Sequence, residues 1–125
     1  MYVLDSSVLI EIINAGEKAE KIHKIVGDDP LVTTSITLYE VLAGATNQKT
    51  CFIYEGLFQG MSVLHFDAVA AKYSSRIERG QYGTGKPVSK ADLFIAGICA
   101  ALNATLVTMD KDFTTIDGLK VRLVS

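Results

Sequence analysis

Ten consecutive residues, Leu93 to Leu102 (LFIAGICAAL), carry no charge. In a helix such a segment is apolar all round and needs cover on nearly every side. A chain of 125 residues can supply that cover from a single domain spanning 1–125, without disulfide or metal staples. No apolar run reaches the ~18 residues of a membrane span, and the start, MYVLDSSVLI, lacks the basic region of a signal peptide. A cytoplasmic protein with no membrane association is therefore expected. Its two cysteines, Cys51 and Cys99, are too few and too far apart for a metal or redox motif and are expected as buried thiols.

The layers that cover the apolar helix are legible in the alternation of patterns. Short β-branched runs fall at Tyr2 to Leu4, Leu31 to Thr34, Ser62 to Phe66, Ala104 to Met109 and Lys120 to Val124. Between them, helical spacing runs through Ser7 to Ala15, Gly16 to Val26, Leu38 to Ala45, Thr50 to Phe58 and Ala68 to Ile77. Strand and helix alternate, which predicts an α/β fold: three layers, α/β/α, around a mainly parallel five-stranded sheet. The only long irregular stretch, Gly80 to Pro87 (GQYGTGKP), is expected as a surface loop.

Ligands of open parallel sheets bind beyond the carboxyl ends of the strands. Asp5 directly follows the first strand, and Asp110 directly follows TLVTM of the fourth, with Asp112 two residues on. Glu40 lies about one turn into the helix after the second strand, and Asp92 opens the apolar helix. Each has a purely structural alternative. Thr37-x-x-Glu40 and Ser89-x-x-Asp92 both have capping-box spacing, Asp5 suits a helix cap, and aspartates such as Asp110 and Asp112 are common in loops. If all four acids met at one mouth, however, they would repel one another unless a cation neutralised them. Hard ions such as Mg²⁺ or Mn²⁺ take oxygen ligands of this kind. The formal net charge of −2 exerts no general pull on nucleic acid, so a polyanionic ligand would need bound metal or local basic residues.

Four segments in order, LDSSVLI, TLYEVLAG, SKADLFIAG and LVTMDKDF, together resemble the PIN-domain nucleases, especially the VapC-type ribonuclease toxins; the match runs from residue 4 to residue 113. The resemblance implies a PIN-like fold and an Mg²⁺- or Mn²⁺-dependent endoribonuclease. Asp5, Glu40, Asp92 and Asp110 would form its acidic quartet, with Asp5, Asp92 and Asp110 on the metal. Ser7 and Thr108 would be hydroxyl supports, and Asp112 is an alternative to Asp110 as the fourth acid. Lys86, Lys90, Arg76, Arg79 and Lys111 lie near the acids in sequence and could hold flanking RNA phosphates. The family's usual partners would be a second copy of the chain and a cognate antitoxin.

Other readings of the same residues fit less well. Gly80 to Lys86 matches the G-x-x-x-x-G-K of a P-loop, but Pro87 has no hydroxyl for Mg²⁺ and the preceding segment has helical rather than strand spacing. A phosphatase of the haloacid-dehalogenase type should carry a second aspartate where Ser7 stands. A phosphoryl receiver should pair acids at the first strand and place a lysine near the last, where only Glu11 and Lys120 are available. A binding module that has lost the chemistry is not favoured, because all four acids are present. His23 and His65 have no nucleophile nearby and are expected to be structural or surface residues.

Overall fold

Side chains that can satisfy bare helix amides mark where the strands give way to helices. In the computed structural model, which describes residues 1–125, the strands are β1 (Tyr2–Leu4), β2 (Val32–Thr34), β3 (Ser62–Leu64), β4 (Thr105–Thr108) and β5 (Lys120–Leu123). The helices are α1 (Ser6–Ile13), α2 (Ala19–Val26), α3 (Ser35–Ala43), α4 (Gln48–Gln59), α5 (Ala68–Gln81) and α6 (Lys90–Ala101), with a 3₁₀ turn at Lys111–Thr115. Asp5, Thr34, Asn47, Asp67 and Ser89 each cap a helix by accepting a hydrogen bond from an amide of its first turn. All five expected strands form, β1 with the expected bounds and the other four shorter by one or two residues. Helix α5 continues through Gln81, so Gly80 is helical and the following loop is shorter than expected. That helix also occupies the place where a P-loop needs a strand.

Every strand pairing is parallel. Backbone ladders join β1, β4 and β5 in that order, and β2 with β3 separately. The expected continuous sheet is therefore hydrogen-bonded in two parts. Across the seam β2 lies beside β1, and the buried Thr33 hydroxyl donates to the Leu4 carbonyl at 2.7 Å. The resulting order is β3-β2-β1-β4-β5. The chain winds one way through the first three strands and the other way through the last two, which puts the reversal between β1 and β4. A crevice at such a reversal is where open α/β sheets bind ligands.

Alternate residues of β1 and β4 face opposite layers. Val3 and Leu106 pack with Ile95, Ala96 and Cys99 of α6 and with Phe113. Leu4 and Val107 pack with Val8 and Leu9 of α1, Ile22 of α2, Val41 of α3 and Phe58 of α4. The apolar stretch Leu93–Leu102 meets its expected cover: Leu93 and Ile95 through Cys99 are buried, and only its last residue, Leu102, is largely exposed. Fully burying an aliphatic side chain of this size contributes about 1.5–3 kcal/mol. Helices α5 and α6 approach very closely at Gly97, where a Cβ would stand 2.6 Å from the Ala70 carbonyl oxygen. The Ser74 hydroxyl donates to the Leu93 carbonyl across the same contact at 2.9 Å.

Both cysteines are free thiols. Cys99 is buried, and burial pushes its thiol up to about 12. Cys51 departs from expectation: it is only partly buried, with its thiol 3.7 Å from Glu55 on the outer side of α4. His23 and His65 are both exposed. No helix is long and apolar enough to cross a membrane.

Candidate active site

The carboxyl edge of the sheet collects all four acids, each by a different local route. Asp5 leaves β1 and caps α1. Asp110 follows β4 and caps the 3₁₀ turn. Glu40 lies in the second turn of α3, which starts directly from the end of β2. Asp92 arrives from the opposite direction. Helix α6 returns through a short turn into β4 and packs against it, so the start of the helix lies at the edge where the strand ends.

Asp5 is the fixed centre. Its Oδ1 accepts from the Ser7 hydroxyl at 2.6 Å and from the Val8 amide at 3.1 Å, and its Oδ2 accepts from the Thr108 hydroxyl. The same hydroxyls accept backbone amides of the segment after β4: Ser7 Oγ from Met109 at 3.1 Å, and Thr108 Oγ1 from Asp110 at 3.0 Å. The two hydroxyls therefore tie the ends of β1 and β4 together through one carboxylate. A carboxylate has about four acceptor sites; three are used here, leaving one on Oδ2. Burial raises the Asp5 carboxyl above its ordinary value, and the Asp110 charge adds to this. The Ser7, Thr108 and Val8 hydrogen bonds oppose the rise.

The other acids respond to one another. Asp92 is pushed up to about 6, first by burial and then by the Asp110 charge, with smaller contributions from Glu40 and Asp5; the Ser89 hydroxyl works against the rise. Glu40 is raised by burial and then by Asp5, opposed by the Ser6 hydroxyl. Its Oε1 is buried with no hydrogen-bond partner. Such orphaned atoms are few in native proteins and call for a specific explanation. None of the four acids is in an ion pair; the two salt bridges are Lys24–Glu20 and Lys90–Glu78.

The structural alternatives resolve differently. Thr34, not Thr37, caps α3, accepting from the Thr37 amide at 3.1 Å, so Glu40 is too far along the helix for a capping box. Ser89 does cap α6, accepting from the Asp92 amide at 3.2 Å, so Asp92 occupies the third helical position while facing the other acids. Asp110 is the residue of its pair whose charge reaches Asp5 and Asp92. Asp112 is exposed and supplies its amide to Asp110 Oδ1 at 2.9 Å.

An unused acceptor on Asp5, an orphaned oxygen on Glu40 and four carboxyls without an ion pair, with Asp5, Glu40 and Asp92 raised by burial and neighbouring charge, fit a divalent cation. The side chains do not close into a group of three or more ligands that could hold an ion unaided. That suits an ion which keeps several waters and takes only one or two carboxylates, completing its shell from a substrate phosphate.

The five cations are not gathered as evenly. Lys86 and Lys90 line a cleft beside the start of α6. Lys111 is exposed next to Asp110. Arg79 is exposed and donates to Ser75 at 3.4 Å. Arg76 is misplaced by sequence proximity: its guanidinium lies 5.2 Å over the Tyr73 ring, and it lines clefts with Asp117 rather than with the acids. Sequence spacing also missed Ser6, whose hydroxyl faces Glu40, and Glu78, which pairs with Lys90. The helical spacing of Glu78 ahead of the loop was the only available signal for it.

Known proteins share this fold. VapC5 of Mycobacterium tuberculosis, a ribonuclease, is 32% identical over 122 residues, covering 93% of this chain and 87% of the relative. The crystal structure of VapBC-5 from the same organism, a member of the VapBC family of toxin–antitoxin systems, superposes with a TM-score of 0.73 at 26% identity, over 98% of this chain and 95% of that one. VapBC2 of Rickettsia felis, bound to a promoter DNA fragment, shares the fold with a TM-score of 0.84 at 21% identity, covering 99% and 98% of the two chains. The PIN domain model matches residues 2–119, nearly the whole chain, and the chain belongs to the PIN domain family.

Proposed function

We propose that this PIN domain is a metal-dependent endoribonuclease of the VapC type, the toxin of a toxin–antitoxin pair, with Asp5, Glu40, Asp92 and Asp110 as its acidic site. The observation that carries the reading is the convergence of four carboxyls with no ion pair at the β1/β4 reversal, one of them with a buried oxygen lacking any partner. Relationship to a ribonuclease, VapC5, supports RNA as the substrate, and the VapBC-5 structure supports an antitoxin protein as partner. A second copy of the chain is part of the same proposal.

Ser7 and Thr108 hold Asp5 in one orientation and keep its remaining acceptor free. Glu40 offers the unpartnered Oε1, and Asp92 and Asp110 supply charge from the facing elements. When bound by these residues, Mg²⁺ or Mn²⁺ supplies a Lewis acid for the scissile phosphate and lowers the pKa of water toward neutrality. The rigid clasp around Asp5 means that little reorganisation is needed at the moment of reaction.

The test is cleavage of a mixed RNA panel, including transfer and ribosomal RNA fragments, by wild type and Asp92→Asn, each with Mg²⁺, with Mn²⁺ and with chelator. Asn still suits a helix start, so the cap is preserved. Metal-dependent cutting that disappears in the variant is expected; cutting that is equal in both, or that persists in chelator, overturns the reading.

A further inference from the structure

Beside the acids, a cleft of about 440 Å³ opens between the end of α5, the loop that follows it and the first turn of α6. Its lining is mixed in a particular way. Val88 and the buried Leu93 are apolar, and Tyr82 exposes 72% of its surface. Lys86 is exposed and in no ion pair, whereas Lys90 is bound to Glu78. Gly83 and Gly85 both have positive φ, at 78° and 68°, a backbone that folds the loop over without side chains in the way. Lys90 and Leu93 line the cleft from the same first turn of α6 that carries Asp92, so the cleft borders the acidic site across that turn, although none of the four acids lines it.

We propose that this cleft holds one unpaired nucleobase of single-stranded RNA next to the scissile phosphate, stacked on Tyr82, with the adjoining phosphate on Lys86. The inference rests on the nuclease reading of the neighbouring acids and goes beyond it by placing a base-binding subsite in this cleft and naming the residues that grip it. An exposed aromatic ring sharing a cleft with apolar side chains suits a flat base, and the unpaired ammonium of Lys86 in the same lining complements the phosphate charge. Bases in an A-form duplex keep their faces stacked and cannot reach such a ring, whereas splayed bases in loops can. Glu78, held by Lys90, offers a carboxylate to the amino edge of a base.

The experiment uses a short single-stranded oligoribonucleotide carrying the fluorescent base 2-aminopurine, in chelator, so that binding and stacking are read without cutting. The proteins compared are wild type, Tyr82→Phe, Tyr82→Ala and Lys86→Gln. Stacking should quench the probe on wild type and Tyr82→Phe, while Tyr82→Ala should lose the quench and bind on the order of tenfold more weakly. Lys86→Gln should keep the quench and reduce the salt slope of binding by about 0.7, one phosphate's worth for a single strand. Unchanged binding and quenching in Tyr82→Ala overturns the proposal, as does equal binding of a duplex, and either result points to a different occupant such as a protein segment. Cleavage by the same wild type, with metal restored, separates the two readings. Tyr82-dependent stacking without cutting supports the cleft and overturns the nuclease. Cutting with Tyr82-independent binding does the reverse.

Discussion

Replacing Asp92 with Asn should stabilise the metal-free protein. The Asp92 carboxyl is held at about 6 against an ordinary 3.8, chiefly by burial and the Asp110 charge. If fully felt, ionising it in the fold would cost about 3 kcal/mol at neutral pH. The group is half-exposed, and solvent screening reduces the cost to about 1–2 kcal/mol. The folded state binds this proton more tightly than the unfolded state, so stability is lost as pH rises from about 4 to about 6 and stays low above that. Asn resembles the neutral acid. The variant should therefore melt roughly 4–8 °C higher than wild type at pH 7.5 in chelator, with the gap narrowing as pH falls through about 6 and closing below about pH 4, where wild-type Asp92 becomes protonated in the unfolded chain as well as in the fold. Saturating Mg²⁺ should then reverse the order, because an ion at a hundred times its Kd adds about 2.7 kcal/mol to wild type and much less to the variant. Thermal melts at both pH values, with and without metal, provide the check. A variant that is less stable in chelator at pH 7.5, or a gap indifferent to pH, would refute the account of mutual repulsion at this site.

The remaining expectations follow from single contacts. Glu40→Gln should lower the Mg²⁺-induced shift in Tm while leaving the metal-free fold as stable as wild type or more so, since it removes a buried charge whose Oε1 has no partner; a large metal-free loss in a denaturant melt would contradict this. Thr108→Val should cost about 1–3 kcal/mol in urea unfolding, because it strips a buried hydroxyl that bridges Asp5 and the Asp110 amide. Asp110→Asn should weaken the metal-induced shift and Asp112→Asn should not, a comparison of two melts. Gly97→Ala should destabilise by about 1–3 kcal/mol, since its Cβ would stand 2.6 Å from the Ala70 carbonyl oxygen, which a Ser74→Ala partner substitution cannot relieve.

Much of this protein is set by short-range chemistry that the residues carry themselves. The five β-branched runs became strands, the uncharged segment before β4 became the covered helix, and Asp5 and Ser89 cap the helices they precede. The positions of Asp5 and Asp110 at the strand ends follow directly, because both lie within two residues of a strand. Pattern alone could not separate the two threonines ahead of Glu40. β2 ends at Thr34, whose hydroxyl takes the cap and leaves Glu40 free to face Asp5. Nor could it choose between Asp110 and Asp112, bring Asp92 to the same edge, or turn Arg76 away toward Tyr73. Those outcomes depend on which elements pack together. Thr108 meets Asp5 across 103 residues of chain because β1 pairs with β4, Leu4 opposite Val107, and the packing of α6 against β4 rather than any local preference brings Asp92 to the same edge. Local propensity and capping act within a few residues, whereas the site is made by hydrophobic cover that brings distant segments to one edge, and only the folded chain holds that information.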